Sequence, residues 1–238
     1  MSHPDPNRDR ALAFLRRTDM RESDRVEPFR DGATVLTDGA PRVWNANHVR
    51  LDEPWTGTAD ELDAELGKAL RGRGLAHQMV VIHHEQDARR LEPGLRRLGY
   101  VSETHTVMGL RREAGRAASA PVEDVPARVA GAIRARVGLQ VHDRLRDRWL
   151  AAFDHGRPAA CARILSDGST GQVEDVATLP GRRNRGLATS VVLGGIDRLH
   201  AEGVGLVLIV VDRDSGPIGL YRDLGFDPVT AIVRFRRT

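Results

Sequence analysis

The sequence consists of two related halves, and this limits the possible folds more than any other feature. Residues 95–100, Leu-Arg-Arg-Leu-Gly-Tyr, answer to residues 221–226, Tyr-Arg-Asp-Leu-Gly-Phe. Residues 70–83 answer to 199–212, where a glycine-broken helix end runs into an apolar strand. Residues 107–112 answer to 232–237, a strand ending in paired arginines. The offset, just over half the chain, is too long for a solenoid repeat and fits a duplicated domain. Hairpins followed by strand–helix–strand units predict an α/β fold of the α+β kind. Each domain is expected to hold a mixed, mostly antiparallel sheet flanked by helices. Residues 113–121 are small and polar, without periodicity, and read as a linker. The expected domains are therefore residues 1–112 and residues 122–238.

The expected elements of the first half are a helix at Arg10–Arg17, an irregular stretch at Arg21–Asp31, and strands at Ala33–Leu36 and Val43–Leu51. A helix from Asp60, a strand at Gln78–His83, a helix at Asp87–Leu98 and a strand at Thr106–Leu110 follow. The second half predicts a helix at Val125–Val137 and strands at Arg148–Phe153, Ala159–Leu165 and Gln172–Leu179. A helix from Leu187 to about Glu202, a strand at Leu206–Val211, a helix at Pro217–Leu224 and a closing strand at Thr230–Phe235 complete it.

Between the second half's third strand and its long helix lies Leu179-Pro180-Gly181-Arg182-Arg183-Asn184-Arg185-Gly186-Leu187-Ala188-Thr189-Ser190. A strand feeding a short basic loop that opens a helix is an anion-binding device. The first helical N–H groups have no intrahelical partner, and the helix dipole adds positive charge there. Gly186 allows close backbone approach, and three arginines add charge. The expected ligand is a phosphate or pyrophosphate.

Composition excludes several classes. No apolar run reaches the ~18 residues of a membrane helix, and the N-terminus has no signal-peptide pattern. Cys161 is the single cysteine, so no intrachain disulfide can form, which fits a reducing cytoplasm. Net charge is only +3, with Lys68 the one lysine. The arginines are interspersed with acids rather than grouped with aromatics, so neither nucleic acid nor membrane is an expected partner.

Arg183-x-x-Gly186-x-Ala188, after a strand ending Val176-Ala177-Thr178, resembles the acetyl-CoA motif of the GCN5-related N-acetyltransferase (GNAT) family, Q/R-x-x-G-x-G/A. The stretch from Asp214 through Tyr221 to Gly225-Phe226 resembles the same family's second signature, N-x-x-A-x-x-L-Y-x-x-x-G-F. The motifs occur in the family's order, separated by a helix and an apolar strand. The resemblance covers residues 124–238 by motif and the first half by topology alone, so it implies tandem GNAT-like domains.

The resemblance implies acetyl-CoA as co-substrate, an amine as acceptor and no metal, in a monomer or homodimer. The amides of Arg183, Asn184, Arg185, Gly186, Leu187 and Ala188, with Thr189, are expected to hold the CoA pyrophosphate. Val176, Ala177 and Thr178 are expected to pair with pantetheine beside a splay that exposes the thioester. Tyr221 is the candidate general acid, since a phenol with a pKa of about 10 is protonated at neutral pH. The bland alternative is a tyrosine packed on a helix face. Glu174 and Asp175 are candidates for the base or for binding a cationic amine. Strand alternation allows only one to face the substrate, and Glu174 is preferred. Asp214 stands where the family has asparagine and can accept but not donate a hydrogen bond to pantetheine. A non-catalytic acyl-CoA sensor or scaffold is the alternative function.

The first half lacks these parts. Leu95 holds the place of Tyr221, and the loop after Leu51 has two acids and no arginine-glycine cradle. Arg71-Gly72-Arg73-Gly74-Leu75-Ala76 imitates the motif, but it leaves a helix for a strand, where helix carbonyls repel phosphate. Residues 1–112 therefore read as a degenerate copy. Trp44 and Asn45 are expected on a strand, either packing at an edge or walling an acceptor pocket. His83 and His84 are adjacent and point opposite ways along a strand, so no metal site is expected.

Overall fold

The computed structural model describes residues 5–113, 115–139, 148–214 and 216–238. The sequence expectations at Ala114, Ser215 and residues 1–4 lie outside the described residues. The chain divides into two compact units. The first holds residues 1–107, 211–216 and 229–238; the second holds residues 108–210 and 217–228.

The first unit begins with helix α1 (Arg8–Glu22), which buries Ala11, Leu12 and Phe14. Strand β1 (Arg25–Phe29) pairs antiparallel with β2 (Gly32–Leu36). Arg21–Asp31 is thus not irregular: the hairpin turn at Arg30–Asp31 pairs its charged first strand with the apolar second. Trp44–Ala46 forms a short 3-10 turn, and strand β3 (His48–Leu51) follows. Trp44 and Asn45 therefore do not lie on a strand. Asn47 ends the turn by accepting from the Thr37 N–H and donating to the Ala40 and Val43 carbonyls.

Helix α2 (Ala59–Leu70) packs Leu62, Leu66 and Leu70 inward and leads to strand β4 (Gln78–Ile82), parallel to β3. Helix α3 (Glu85–Arg97) returns to strand β5 (Val101–Leu110). The unit's core joins Leu51, Trp55, Leu62, Leu66, Ile82, Leu91 and Leu95 to Val233 and Phe235, from the end of the chain.

The second unit holds strand β6 (Val122–Val125), absent from the sequence expectation, and helix α4 (Ala127–Arg136). Strands β7 (Arg148–Asp154), β8 (Arg157–Ser166) and β9 (Thr170–Thr178) form an antiparallel meander on β6. Helix α5 (Leu187–Ala201) crosses to strand β10 (Leu206–Asp212), parallel to β9. Helix α6 (Ile218–Asp223) precedes the last strand, β11 (Phe226–Arg237). A β-carbon on Gly195 would come within 3.0 Å of the Val173 side chain, so bare backbone lets α5 lie close on the sheet.

Both units repeat one plan. In β1–β2–β3–β4 and in β7–β8–β9–β10 two antiparallel pairings are followed by a helical crossover to a parallel strand. The fold is the expected one, a mixed sheet flanked by helices. The division of the chain differs from the 1–112 and 122–238 boundaries. From Val229 onward β11 belongs to the first unit, where Val233 and Phe235 pair with Ile82 and Val80 of β4. The alternation of Val233 and Phe235 with arginines supplies one apolar face, and that face is buried in the first unit's core. Residues 116–120 are not free linker either. Arg116 ion-pairs with Asp223, and the Ser119 and Ala120 amides donate to the Ser190 hydroxyl at 3.0 and 3.1 Å.

Candidate functional site

Strand β9 is the centre of the second unit's chemistry. Its ladder to β10 covers Thr170–Gln172 against Leu206–Leu208. Beyond Gln172, β9 continues to Thr178 paired with β8 alone among the described residues. Right-handed twist separates parallel strands whose pairing stops. Val176, Ala177 and Thr178 thus lie on a stretch of β9 beyond its ladder to β10.

The loop after β9 makes a 3-10 turn at Pro180–Arg182 and then enters α5 through Asn184 and Gly186, both left-handed (φ +60° and +73°). Asparagine and glycine are the residues that accept this conformation at least cost. Helix α5 has no side-chain cap at its N-terminus. Ser190 is the first residue to donate back, to the Gly186 carbonyl at 2.9 Å. The preceding amides, Leu187, Ala188 and Thr189, are those that helix geometry leaves for an external acceptor.

Gly186 has a second duty that the sequence did not reveal. A β-carbon there would lie 2.4 Å from the Ser119 hydroxyl. Its bareness thus accommodates the crossing segment 116–120 as well as a close ligand. The loop arginines also differ in role. Arg182 and Arg185 both donate to Asp154 Oδ2, at 2.7 and 3.1 Å, which ties the loop to the β7–β8 turn. Arg183 is exposed. Nothing in the sequence near Asp154 marks it as the loop's anchor, because the pairing spans two connections.

Glu174 and Asp175 lie on β9 just before the open edge, but not in simple alternation. Arg163 pairs with Glu174 and Cys161 with Ala177, so Asp175 and Val176 stand opposite the single Ala162. This is a β-bulge, and Asp175 takes the left-handed conformation at φ +53°. The sequence argument that only one of the two carboxylates can face a given side therefore fails. Both turn to the buried Arg163: Glu174 in a direct ion pair and Asp175 at 3.9 Å. Glu174 also accepts from Gln172 at 3.0 Å. Asp175 is gripped by Arg134 of α4, whose guanidinium lies over the Trp149 ring at 5.2 Å. Arg163 was legible in principle, as a charge inside an otherwise apolar strand.

Tyr221 sits in α6, buried, with its ring edge-on to Phe226 at 6.3 Å. Burial pushes its phenol up to about 12. Cys161 is also buried, and its thiol is pushed up to about 12, which suits a core residue rather than a nucleophile.

The remaining sequence candidates lie in the first unit. Asp214 belongs to its 211–216 segment, and its amide donates to Asp212 at 2.8 Å. Trp44 is packed between His77 and Arg236, and the Asn45 carbonyl lies 3.1 Å from His48 Nδ1. The imitation motif follows the end of α2, where Arg73 Nε donates to the Ala69 carbonyl at 2.7 Å and its guanidinium pairs with Glu27. Its arginine caps a carbonyl end and binds a carboxylate, the reverse of a phosphate cradle. Among the described residues, no cluster of three metal-ligating side chains occurs. No helix is long and apolar enough to cross a membrane.

Residues 117–226 match the model of the acetyltransferase (GNAT) family. A mycothiol acetyltransferase of Thermobispora bispora is 34% identical over 73 residues, 30% of this chain and 25% of that protein. The match thus spans about a quarter of the relative's length. A GCN5-related N-acetyltransferase from Kribbella flavida shares the fold with a TM-score of 0.72 at 18% identity, over 98% of this chain and 95% of that one. A tandem GNAT protein from the clavulanic acid biosynthesis pathway superposes with a TM-score of 0.57 at 16% identity, over 87% and 78%. Over residues 117–226, a little under half of its length, this chain is similar to the GNAT acetyltransferase family.

Proposed function

We propose that the chain is an acetyl-CoA-dependent N-acetyltransferase in which a primary amine attacks the thioester directly in a ternary complex. The observation that carries the reading is the β9 edge opened beyond Gln172, leading into the uncapped start of α5. In this reading Val176, Ala177 and Thr178 pair with pantetheine. The amides of residues 183–189 hold the pyrophosphate, aided by the helix dipole and by the Arg183 side chain. The residues fit an acyl-CoA: an open strand edge for amides beside an anion site for phosphates.

The amine nitrogen forms the new C–N bond as the C–S bond breaks. Tyr221 gives its phenolic proton to the departing thiolate, and its raised pKa keeps that proton available across the neutral and alkaline range. Glu174 or Asp175 takes the proton lost by the amine. Both carboxylates, held in place by Arg163, Gln172 and Arg134, equally serve to hold a cationic amine. The first half supplies no CoA site. The relative's name puts mycothiol-type acceptors first in an acceptor screen, followed by other small amines. The single buried cysteine supports a cytoplasmic location.

The test is a calorimetric titration of acetyl-CoA into the protein, followed by free-thiol release across aminoglycosides, amino acids, polyamines, peptides and amino-sugars. Binding with thiol release is expected. Absence of binding to the wild type removes the reading. Binding without release from any amine makes the protein an acyl-CoA sensor instead.

A further inference from the structure

The bulge in β9 has an unusual support. Asp175 holds φ +53°, a conformation unfavourable for an L-residue unless its surroundings impose it. The residue is partly exposed, and backbone packing alone does not lock it. Its carboxylate, however, is bound by Arg134 Nη1, from the helix that lies across β7 and β8. Arg134 is itself 6% exposed, an arginine inside the small core of Ala130, Ile133, Trp149 and Cys161. Its guanidinium is flanked by Trp149 on one side and Asp175 on the other. A guanidinium buried in this way carries a desolvation cost that its partners must offset. A well-packed leucine or methionine would fill the volume without that cost. The position therefore calls for an explanation other than core packing.

The place of the gripped residue suggests one. Asp175 and Val176 face the single Ala162, so the amides at this point leave the β8 ladder. The β10 ladder has already ended at Gln172. These backbone groups stand at the opened edge, immediately before the segment assigned to pantetheine.

We propose that Arg134 is a positioning residue for the acyl group. By holding Asp175 left-handed, it fixes the direction of the bulge amides, one of which donates to the thioester carbonyl. The inference rests on the acetyltransferase reading above. Arg134 acts through Asp175 and does not touch the substrate. A preorganised amide donor is worth most where charge develops on the carbonyl oxygen.

The experiment reads the carbonyl itself and needs no acceptor. Bound acetyl-CoA labelled with carbon-13 at the acetyl carbonyl is observed by isotope-edited infrared spectroscopy. In the wild type the carbonyl stretch is lowered relative to free acetyl-CoA. In Arg134→Met most of this lowering is lost, while the acetyl-CoA dissociation constant changes less than about threefold, because the phosphate loop is untouched. Arg134→Met/Asp175→Gly recovers the lowering, since glycine enters positive φ without a β-carbon. With an acceptor in hand, kcat falls about tenfold or more in Arg134→Met.

Should Arg134→Met fail to fold, Asp175→Gly and Asp175→Ala decide the matter with Arg134 intact. The glycine variant is expected to keep the lowering and the alanine variant to lose it. An unchanged stretch in Arg134→Met overturns the proposal, as does an equal stretch in the glycine and alanine variants. A wild type that does not bind acetyl-CoA has a different meaning, because it removes the acetyltransferase reading itself.

Discussion

The two strand-to-helix junctions, β3 to α2 and β9 to α5, hold the same place in the repeated plan and end differently. At the first, Thr58 caps α2: its hydroxyl accepts from the Glu61 amide at 3.2 Å, and Glu61 returns to the Thr58 amide at 2.7 Å. Trp55 is buried in the loop, and Arg90 donates to the Trp55 and Gly57 carbonyls. A carboxylate of the chain itself occupies the end of the helix. At the second junction Gly186 caps nothing, no carboxylate follows, and Asp154 holds two arginines beside the open end. One copy satisfies its helix start internally and the other leaves it for an anion. Duplication thus keeps a scaffold while the Thr58–Glu61 capping pair is present at one junction and absent at the other.

The largest expected effect bears on what only the second copy has. Tyr221→Phe removes the acid and is expected to lower kcat about 100-fold or more, with the KM for acetyl-CoA little changed. An unchanged kcat, with chemistry rate-limiting, takes Tyr221 out of that role. Its pH dependence follows from the same burial. The folded pKa of about 12 lies above the ordinary value of 10, so no alkaline loss of kcat from this group is expected below about pH 11.

Next in size is a change that makes the second junction resemble the first. Ala188→Asp places a carboxylate in the first turn of α5. Acetyl-CoA affinity is expected to fall about 30-fold, close to 2 kcal/mol. The melting temperature holds or rises, because the charge suits the helix dipole. Calorimetry and thermal melting together check both signs, and a loss of affinity matched by a loss of stability would break the comparison.

Acid should then weaken the first unit in particular. Burial holds His83 near 3, below 6.5. Burial alone would raise Asp19, but its bonds to His48 and Arg50 outweigh this and hold it near 2. Both folded values lie below the unfolded ones. The stabilisation is therefore complete above about pH 6.5 and is lost as pH falls, first through His83 and then through Asp19 between about pH 4 and 2. The slope is at most about 1.4 kcal/mol per pH unit for each group. His83→Leu is expected to flatten the change in melting temperature between pH 6.5 and 4, and an unaltered slope would locate the linkage elsewhere.

The smallest effect is the converse of Ala188→Asp. Thr58→Ala is expected to cost about 1 kcal/mol of stability in chemical denaturation. It leaves acetyl-CoA affinity unchanged, and a change in affinity would give the first junction a role in binding.

Much of this was legible in the chain. The duplication, most of the helices and strands of each copy and the basic loop are matters of local pattern, and local pattern survives folding. The imitation motif at Arg71–Ala76 could be set aside because a helix end and a helix start differ in the sign of their dipole. Legibility failed where partners are far apart in sequence. The closing strand was assigned to the wrong half, since an apolar alternation at Val233 and Phe235 fits either core. Strand alternation at Glu174 and Asp175 was broken by one bulged residue.

The sequence by itself determined the two-copy architecture, the basic loop that opens α5 and the position of Tyr221. Each rests on hydrophobic period, helix polarity or a short motif. Tertiary structure alone decided that β9 parts from β10 after Gln172, that Asp154 anchors the loop arginines and that Arg134 grips the bulge. It also decided that Ser119 needs Gly186 to be bare. These depend on charges and backbone edges brought together from distant segments, and no periodicity in a chain records which distant segment will arrive.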